Sequence, residues 1–287
     1  MSDQSDENDE IQGLRVRIDG GIATVTIDSP PINLFTMELF LAMAGLAQRL
    51  AADDTVRVVV LRSANPEFFI AHFDVAAILT FPTDAPASSE LGPYAVMCEA
   101  FRTMPKATIA VIEGRVGGGG SELALSFDMR FAALPHGDHP GAVFNQPEVA
   151  LGILPGGSGT VRLPRLIGRS RALEVILGGD DVDARTAEAW GWVNRALPAD
   201  ELWPFVDRLA ARIASFPPHA VAAAKACVLR AEIGVEPDLI AEAAAFGATL
   251  GGPGTADAMR AFLDQGGQTR AGELRLGALA GEVGRTR

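Results

Sequence analysis

Alternation between apolar and polar residues predicts a strand hairpin early in the chain. Residues 14–18 alternate between leucine, valine or isoleucine and arginine, which is the period of a half-exposed strand. The Asp-Gly-Gly sequence at 19–21 predicts a tight turn, and 22–27 is the returning strand. From Thr36 the period changes to that of an amphipathic helix with Thr36 as its N-cap. Its apolar stripe consists of Leu39, Met43, Leu46 and Leu50.

Continuous apolar runs predict buried strands farther along the chain. The runs at 56–61 and 108–112 are fully apolar or nearly so, and shorter strands are expected at 129–133 and 193–197. Beyond Leu197 the composition shifts to alanine-rich segments with helical periodicity. The pattern therefore predicts an α/β fold, in which strand–strand–helix units are followed by an α-helical C-terminal region.

The same shifts in composition predict four segments. Residues 1–10 are acidic and polar and are expected to form a disordered tail. Residues 11–197 form the ββα core, and 198–264 form a helical region. This helical region is apolar on more than one face, so we expect it to make contacts between subunits. Residues 265–287 are glycine-rich and weakly patterned, which leaves their order undecided.

Charge and cysteine content exclude several classes of partner. The 287 residues carry a formal net charge of −12, which disfavours binding to nucleic acid or to an anionic membrane surface. The two cysteines, Cys98 and Cys227, lie far apart and lack metal-ligand spacing. Buried, reduced thiols and an acidic N-terminus unlike a signal peptide lead us to expect a cytoplasmic protein without a bound metal.

A run of four glycines at 117–120 is the most informative local sequence. It lies between the apolar run 108–112 and a short helical pattern for which Ser121 is the expected N-cap. Glycines allow a ligand to approach the backbone, and a helix N-terminus offers unpaired N–H donors. Glu122 would then face the same space. On these residues alone, a capping glutamate beside a tightly packed turn is as good an interpretation as a catalytic acid.

Four segments in the right order resemble the crotonase family, also called the enoyl-CoA hydratase/isomerase family. Each is short, but together they extend over most of the chain. The matching segments are 58–74 with its F-x-A-x-x-D turn, 117–125 with G-G-G-x-E-L, 144–160 with F-x-x-P-E and its following glycine turn, and 211–225 with its Pro-Pro and Ala-Lys pairs. The resemblance implies a crotonase-like spiral of ββα units.

The resemblance also implies an acyl-CoA thioester as substrate, with no permanently bound cofactor. The backbone N–H groups of Phe73 and Gly119 would bind the thioester oxygen, while Glu122 and Glu148 would hold a water molecule and transfer protons. Two carboxyl groups facing one site cannot both ionise freely, so one pKa should rise. Without the resemblance, Glu148 would be read as an ordinary turn or helix carboxylate. The substrate contacts carried over by position are Ala71, His72, Phe73, Asp74, Gly118 and Gly119.

Several positions depart from the family pattern or have a structural interpretation. His72 stands where the family usually has glycine. The interpretation we favour is a turn residue whose ring packs locally or points to solvent. The alternative is that the ring enters the pocket, where it changes substrate choice or adds an acid/base group. We expect Asp74 to cap the following helix and Lys225 to be a solvated helix lysine. Asp128 and Arg130 are expected to form structural pairs. The C-terminal tail lacks the aromatic and basic end that many relatives place over the coenzyme.

The pair of glutamates favours a cytoplasmic 2-enoyl-CoA hydratase of fatty acid metabolism. A double-bond isomerase using mainly Glu148 is the alternative on the same scaffold. From a different class, a non-catalytic acyl-CoA-binding or scaffold protein would follow if His72 spoiled the geometry of the turn. The family also implies a homotrimer, often paired into a hexamer, with no nucleic acid or membrane partner.

Overall fold

Two sheets hold the strands found in residues 9–84, 86 and 88–285, which the computed structural model describes. The larger sheet has the order β1-β2-β3-β4-β6-β8-β11, and the smaller has the order β10-β9-β7-β5. The strands are β1 (Asp9–Ile11), β2 (Leu14–Asp19), β3 (Ile22–Ile27), β4 (Val58–Ser63), β5 (Phe68–Ile70), β6 (Ala107–Ile112), β7 (Arg115–Gly117), β8 (Met129–Ala133), β9 (Val143–Asn145), β10 (Val182–Asp183) and β11 (Arg195–Leu197).

Helices connect these strands and then form most of the C-terminal third. They are α1 (Met37–Ala52), α2 (Val75–Ile78), α3 (Pro93–Thr103), α4 (Gly118–Leu125), α5 (Gly159–Ile167), α6 (Arg169–Gly178), α7 (Ala184–Trp190), α8 (Ala199–Ala214), α9 (Pro218–Leu229), α10 (Val235–Leu250), α11 (Thr255–Asp264), α12 (Arg270–Glu273) and α13 (Leu276–Arg285), with a 3₁₀ helix at Glu148–Leu151. As predicted, Thr36 caps α1, because its hydroxyl accepts the Leu39 N–H at 3.2 Å.

The central strands are apolar on both faces because two cores enclose the larger sheet. From β3 to β11 the strands run parallel, and parallel sheets are normally covered on both sides. Val59 and Leu61 of β4 belong to the core that includes the buried faces of α1 and α3. Val58 and Val60 belong to a second core with α8. The alternation along one strand therefore separates two hydrophobic layers, not core from solvent.

Both ends of the chain differ from the sequence-based expectation. Strand β1 begins at Asp9, because it pairs with β2 in antiparallel register, so the predicted disordered segment 1–10 extends too far; residues 1–8 lie outside the described residues. The weakly patterned segment 265–287 contains α12 and α13. Helix α13 is anchored by fully buried Leu279 and Val283, which pack with side chains of α11 in a third core.

None of the described helices is both long and apolar enough to cross a membrane.

Gly120 provides a test of the close packing between α4 and β5. A Cβ on this residue would lie 2.6 Å from the side chain of Ile70, a contact that neither backbone can relieve without moving. We expect Gly120→Ala to lower the free energy of unfolding by about 1–3 kcal/mol, measured by chemical denaturation. Gly45→Ala in helix α1 is the matched control, because a Cβ on Gly45 would have no neighbouring atom within 4 Å. That control should be neutral or raise stability by up to about 1 kcal/mol; equal effects of the two variants would contradict the packing argument.

Candidate active site

Three adjacent parallel strands end at one edge of the smaller sheet. β7 pairs in parallel with β5 on one side and with β9 on the other. In open sheets of this kind, ligands bind in the crevice at the carboxyl ends of the strands. The chain leaving β5 carries Phe73, the chain leaving β7 carries Gly119, and the chain leaving β9 carries Glu148. The topology thus brings together residues from three separate motifs.

The amide of Phe73 is held in place by hydrogen bonds on both sides of it. Phe35 N–H donates to the His72 carbonyl at 2.9 Å, and Asp74 N–H donates to the Phe35 carbonyl at 3.1 Å. Within the described residues, the Phe73 N–H itself donates to no backbone carbonyl. A Cβ built on Gly119 would lie 3.6 Å from the Phe73 nitrogen. The free Phe73 amide therefore lies directly beside Gly119.

Gly119 lies in the first turn of α4, where amides have no partner within the helix. The helix begins at Gly118, so the predicted cap at Ser121 is wrong, and Gly117 occupies the N-cap position without a side-chain bond. Close packing of this turn on β5 explains the difference, because it requires glycines and overrides the usual preference for a polar cap. The Tyr94 hydroxyl donates to the Gly119 carbonyl at 2.5 Å and fixes that peptide.

Glu122 is buried one turn farther along α4. Its Oε1 accepts the N–H groups of Gly157 and Gly159 at 2.8 and 2.7 Å. Residues 152–159, the second glycine-rich turn, are thereby bound to this carboxyl group. Burial, together with the nearby Glu148 and Glu242 carboxylates, raises the pKa of Glu122 well above its usual value. The two backbone donors oppose that shift without cancelling it.

Glu148 is also buried, at the start of the 3₁₀ helix. Its Oε2 has no hydrogen-bond partner among the described residues. Burial raises the pKa of Glu148 to about 7. An unpartnered buried carboxylate oxygen is costly unless a ligand or water binds it, which is typical of a functional site.

A third buried carboxyl group, Glu242 of α10, was not identified from the sequence. It accepts the N–H of Ser158 at 2.6 Å and the N–H of Thr160 at 2.8 Å, and it also bonds to the Thr160 hydroxyl. Burial raises the pKa of Glu242 to about 7. The feature of the sequence that could have pointed to Glu242 is its position as the one acidic residue in the apolar run 239–250. Periodicity alone does not show that this residue caps the start of α5.

A cavity of about 540 Å³ lies between the two amides and the first two of these carboxyl groups, and Glu242 is not part of its wall. Phe73, Gly119, Glu122 and Glu148 all line it, as do His72 and Gly118. Apolar side chains form most of the remaining wall, contributed by Met37, Phe40, Val75, Ile78, Phe81, Leu151, Ile153, Leu154, Phe246, Met259 and Phe262. The arrangement suits an apolar ligand with one polar, electron-rich group placed between the amides and the carboxyl groups.

Two of the predicted substrate contacts, Ala71 and Asp74, do not line this cavity. The Asp74 carboxylate accepts the Ala76 N–H at 2.9 Å, which confirms it as the cap of α2. It also accepts the Gln268 side-chain amide at 2.7 Å. Asp74 therefore ties the turn to the C-terminal segment.

His72 lies at the cavity wall, but its ring packs locally and does not reach solvent. It is 4% exposed, and both ring nitrogens have partners: Nδ1 lies 2.8 Å from the Phe73 carbonyl and Nε2 lies 3.0 Å from Glu273 Oε1. Its φ is not positive, so histidine fits the turn without the strain that a left-handed conformation would impose.

The three other charged residues considered in the sequence, Lys225, Asp128 and Arg130, have structural roles. Lys225 forms a 2.9 Å ion pair with Asp128 and is largely buried, so the expectation of a solvated lysine is wrong. It is held there because it also donates to the Lys106 carbonyl. The structural pair expected for Asp128 is confirmed. Arg130 instead donates to the backbone carbonyls of Trp192 and Phe127, at 2.8 and 2.6 Å.

Comparison with known proteins agrees with the motifs. Residues 17–265 match the family model described as Enoyl-CoA hydratase/isomerase. The chain belongs to this family. It is 33% identical over 209 residues to a Mycobacterium tuberculosis protein named "Probable enoyl-CoA hydratase EchA17", covering 72% of this chain and 77% of that relative. The resemblance inferred from the sequence is thus confirmed.

Solved structures of the enoyl-CoA hydratase/isomerase family confirm the crotonase-type fold. A Streptomyces avermitilis protein, whose own assignment as an enoyl-CoA hydratase is provisional, is 37% identical with a TM-score of 0.86, over 96% of this chain and 100% of that one. An enoyl-CoA hydratase from Mycobacterium avium subsp. paratuberculosis is 26% identical with a TM-score of 0.77, over 88% and 100%. These relatives support the assignment of this chain as a crotonase-type enzyme. The family acts on CoA thioesters without a permanent cofactor.

Replacing Glu242 tests its role in holding the second glycine turn. Glu242→Ala leaves the buried amides of Ser158 and Thr160 without their acceptor, so we expect a loss of about 2–4 kcal/mol in the free energy of unfolding. Glu236→Ala is the control, because Glu236 is exposed on the same helix, and it should cost at most about 0.5 kcal/mol. Chemical denaturation at about pH 7 measures both. A loss no larger than that of the control would contradict the capping role.

Proposed function

We propose that the protein is a 2-enoyl-CoA hydratase, which adds water across a double bond conjugated to the thioester. One observation carries the proposal: two unpaired backbone amides and two buried carboxyl groups line a single, mostly apolar cavity. Water addition needs both kinds of group, because negative charge develops on the thioester oxygen while two protons move.

The amides of Phe73 and Gly119 would bind the thioester oxygen as an oxyanion hole. Attack of water on the β carbon passes through an enolate-like state with charge on that oxygen. Preset backbone donors stabilise such a charge by roughly 3 kcal/mol each. Gly119 also lies at the positive end of α4, although the helix is short. The packing of Phe35 and Tyr94 around the two peptides supports a rigid geometry.

Glu122 and Glu148 would hold the water molecule and exchange protons with the substrate. Both pKa values are raised and the groups interact, so the pair titrates as a unit. Near neutral pH such a coupled pair supports one acid and one base, because the carboxyl groups do not both ionise freely. One group then takes a proton from the attacking water, and the other assists delivery of a proton to the α carbon.

A double-bond isomerase is the second candidate, and one observation favours it. Glu122 Oε1 already accepts two backbone amides, as a purely structural carboxyl group would, whereas Glu148 keeps a free oxygen. A single base that moves a proton between two carbons needs only Glu148. The non-catalytic alternative has less support, since His72 leaves the Phe73 amide free.

We also propose that subunits associate through the helical C-terminal region, as the family resemblance implies. Helix α9 is rich in alanine and valine, yet none of these apolar residues is buried. Val228 and Ile233 are 71% and 86% exposed. Apolar surface of this kind is expected to be covered by another copy. A cytoplasmic location and a role in fatty acid metabolism belong to the same proposal.

Conversion of each glutamate to glutamine tests the assignment with crotonyl-CoA. Glu148→Gln removes the group with the free oxygen, so we expect kcat for hydration to fall by about 10²–10⁴-fold. Glu122→Gln should cause a similar loss in a hydratase but leave most of the turnover of a 3-enoyl-CoA ester in an isomerase. Glu174→Gln is the control, because Glu174 is an exposed residue of α6, and it should change neither rate. Unchanged hydration by Glu148→Gln would rule out the proposed role of that residue.

The pH dependence of hydration should report the ionisation of Glu148. Its pKa is raised to about 7, so the carboxyl group becomes protonated as the pH falls through that value and can no longer act as a base. We expect kcat/KM of the free enzyme to fall on the acid side of about pH 7, by about tenfold for each pH unit. Steady-state rates in overlapping buffers measure this limb. Retention of the same limb in the residual activity of Glu148→Gln would assign it to another group.

A further inference from the structure

The residue that departs from the family pattern, His72, is bonded to the C-terminal helix α12. Its Nε2 lies 3.0 Å from Oε1 of Glu273, a residue 201 positions away. Both side chains are almost completely inaccessible to solvent, at 5% and 1% exposed. A glycine at position 72 could make no such contact. The contact is therefore a property of this chain's own sequence.

The hydrogen-bond partners of His72 define its protonation. Nδ1 faces the Phe73 carbonyl, which only accepts, so Nδ1 must carry a hydrogen. Nε2 faces the Glu273 carboxylate, whose Oε1 also accepts the Gln268 N–H at 2.6 Å. Because the pKa of Glu273 is lowered, this group faces Nε2 as a carboxylate, which only accepts, and the ring then carries both hydrogens as an imidazolium cation. Burial lowers the pKa of His72, but Glu273 outweighs it and the net pKa is raised; that of Glu273 is lowered.

The imidazolium fixes the peptide that follows the Phe73 amide. Nδ1–H donates to the Phe73 carbonyl, and the Asp74 N–H of the same peptide donates to Phe35. The preceding peptide, which contains the Phe73 N–H, is held through the His72 carbonyl. Because the peptide before Phe73 and the peptide after it are both restrained, the Phe73 N–H has little freedom to rotate. Preorganised donors are effective because they need no rearrangement during the reaction.

The positive charge on His72 also acts on Glu148. Glu273 of α12 bonds to the ring, and Glu148 of the 3₁₀ helix lies close to it, because a Cβ built on Gly118 would lie 3.1 Å from the His72 Cβ and 3.0 Å from Glu148 Oε1. Helix α11 contributes the uncharged Phe262 ring at 5.6 Å. Arg115 of β7 acts on Glu273 and helps to keep it ionised. A cation beside Glu148 favours its ionised form, which is the form needed for a base.

We propose that His72 and Glu273 form a buried imidazolium–carboxylate pair that positions the Phe73 amide and favours the ionised form of Glu148. His72 and Glu273 are thus positioning residues, and they act through Phe73 and Glu148. This inference rests on the proposed acyl-CoA chemistry for its kinetic consequences. The protonation of the pair does not depend on that chemistry and can be tested separately.

Nuclear magnetic resonance of the ring nitrogens tests the pair without any substrate. The chain has four histidines, and His72→Gln identifies the signal of position 72. In the intact protein we expect His72 to show two protonated ring nitrogens at about pH 7.5, about one unit above the usual pKa of histidine. In Glu273→Gln it should become neutral at that pH. A His72 ring with one unprotonated nitrogen in the intact protein would overturn the proposal, whatever reaction the protein catalyses.

Kinetics with crotonyl-CoA then test the positioning role. We expect Glu273→Gln to lower kcat about tenfold while KM changes less than about threefold, and to move the acid limb of kcat/KM upward by about half a pH unit or more. Arg270→Gln is the matched control: it removes the exposed contact of α12 with Glu67 and should leave the acid limb unmoved. Equal pH profiles for the two variants would overturn the positioning role.

A binding measurement separates failure of this inference from failure of the proposed function. Acetoacetyl-CoA is an acyl-CoA analogue whose enolate is detected by its ultraviolet absorbance. The intact protein should bind it with an enolate signal, and Glu273→Gln should weaken that signal about tenfold more than Arg270→Gln does. If crotonyl-CoA is not hydrated but this difference persists, only the hydratase proposal fails. If hydration occurs and the difference is absent, only the positioning role fails.

Discussion

The close approach of two backbone segments, the turn after β5 and the first turn of α4, determines the rest of the site. A Cβ on Gly117 would lie 2.7 Å from the Ala71 carbonyl oxygen, and one on Gly120 would lie 2.6 Å from Ile70. No side chain fits between these segments, so the amides of Phe73 and Gly119 come to lie side by side. The glycines are needed less for flexibility than for the space that they leave empty. Because the helix starts within them, its first-turn residues Gly118 and Gly119 line the cavity, and amides in a first turn have no partner within the helix.

The second constraint is electrostatic, because three carboxyl groups are buried close together. Burying Glu122, Glu148 and Glu242 is unfavourable, and their raised pKa values express that cost. Backbone amides of the second glycine-rich turn compensate in part, with two donated to Glu122 and two to Glu242. This turn lets one segment of chain hold two carboxyl groups from different helices. Within the described residues Glu148 Oε2 has no hydrogen-bond partner, and Glu148 lines the cavity, so an unsatisfied part of the cluster lies beside the space where a ligand would bind.

The sequence predicted local features well because their causes are local. The period of the early strands, the Thr36 cap and the Asp74 cap all depend on residues a few positions apart. The order of the motifs was sufficient to predict the family and fold. Glu242 and Glu273 were not identified, since their partners lie 84 and 201 positions away and no periodicity encodes such distances. The Ser121 cap failed for a related reason: contact with β5, a distant part of the chain, determines where α4 begins.

The C-terminal segment belongs physically to the site, although its composition differs from that of the first two thirds. Phe246, Met259 and Phe262 form part of the cavity wall, and Glu273 holds the turn that carries the Phe73 amide. A boundary at residue 197 therefore separates two compositions without separating two functional units. Where the family usually has glycine, this chain has a buried histidine that requires a buried carboxylate, and that carboxylate comes from α12. Replacing a small residue by a charged one at the cavity wall thus makes the site depend on the last helices being folded in place.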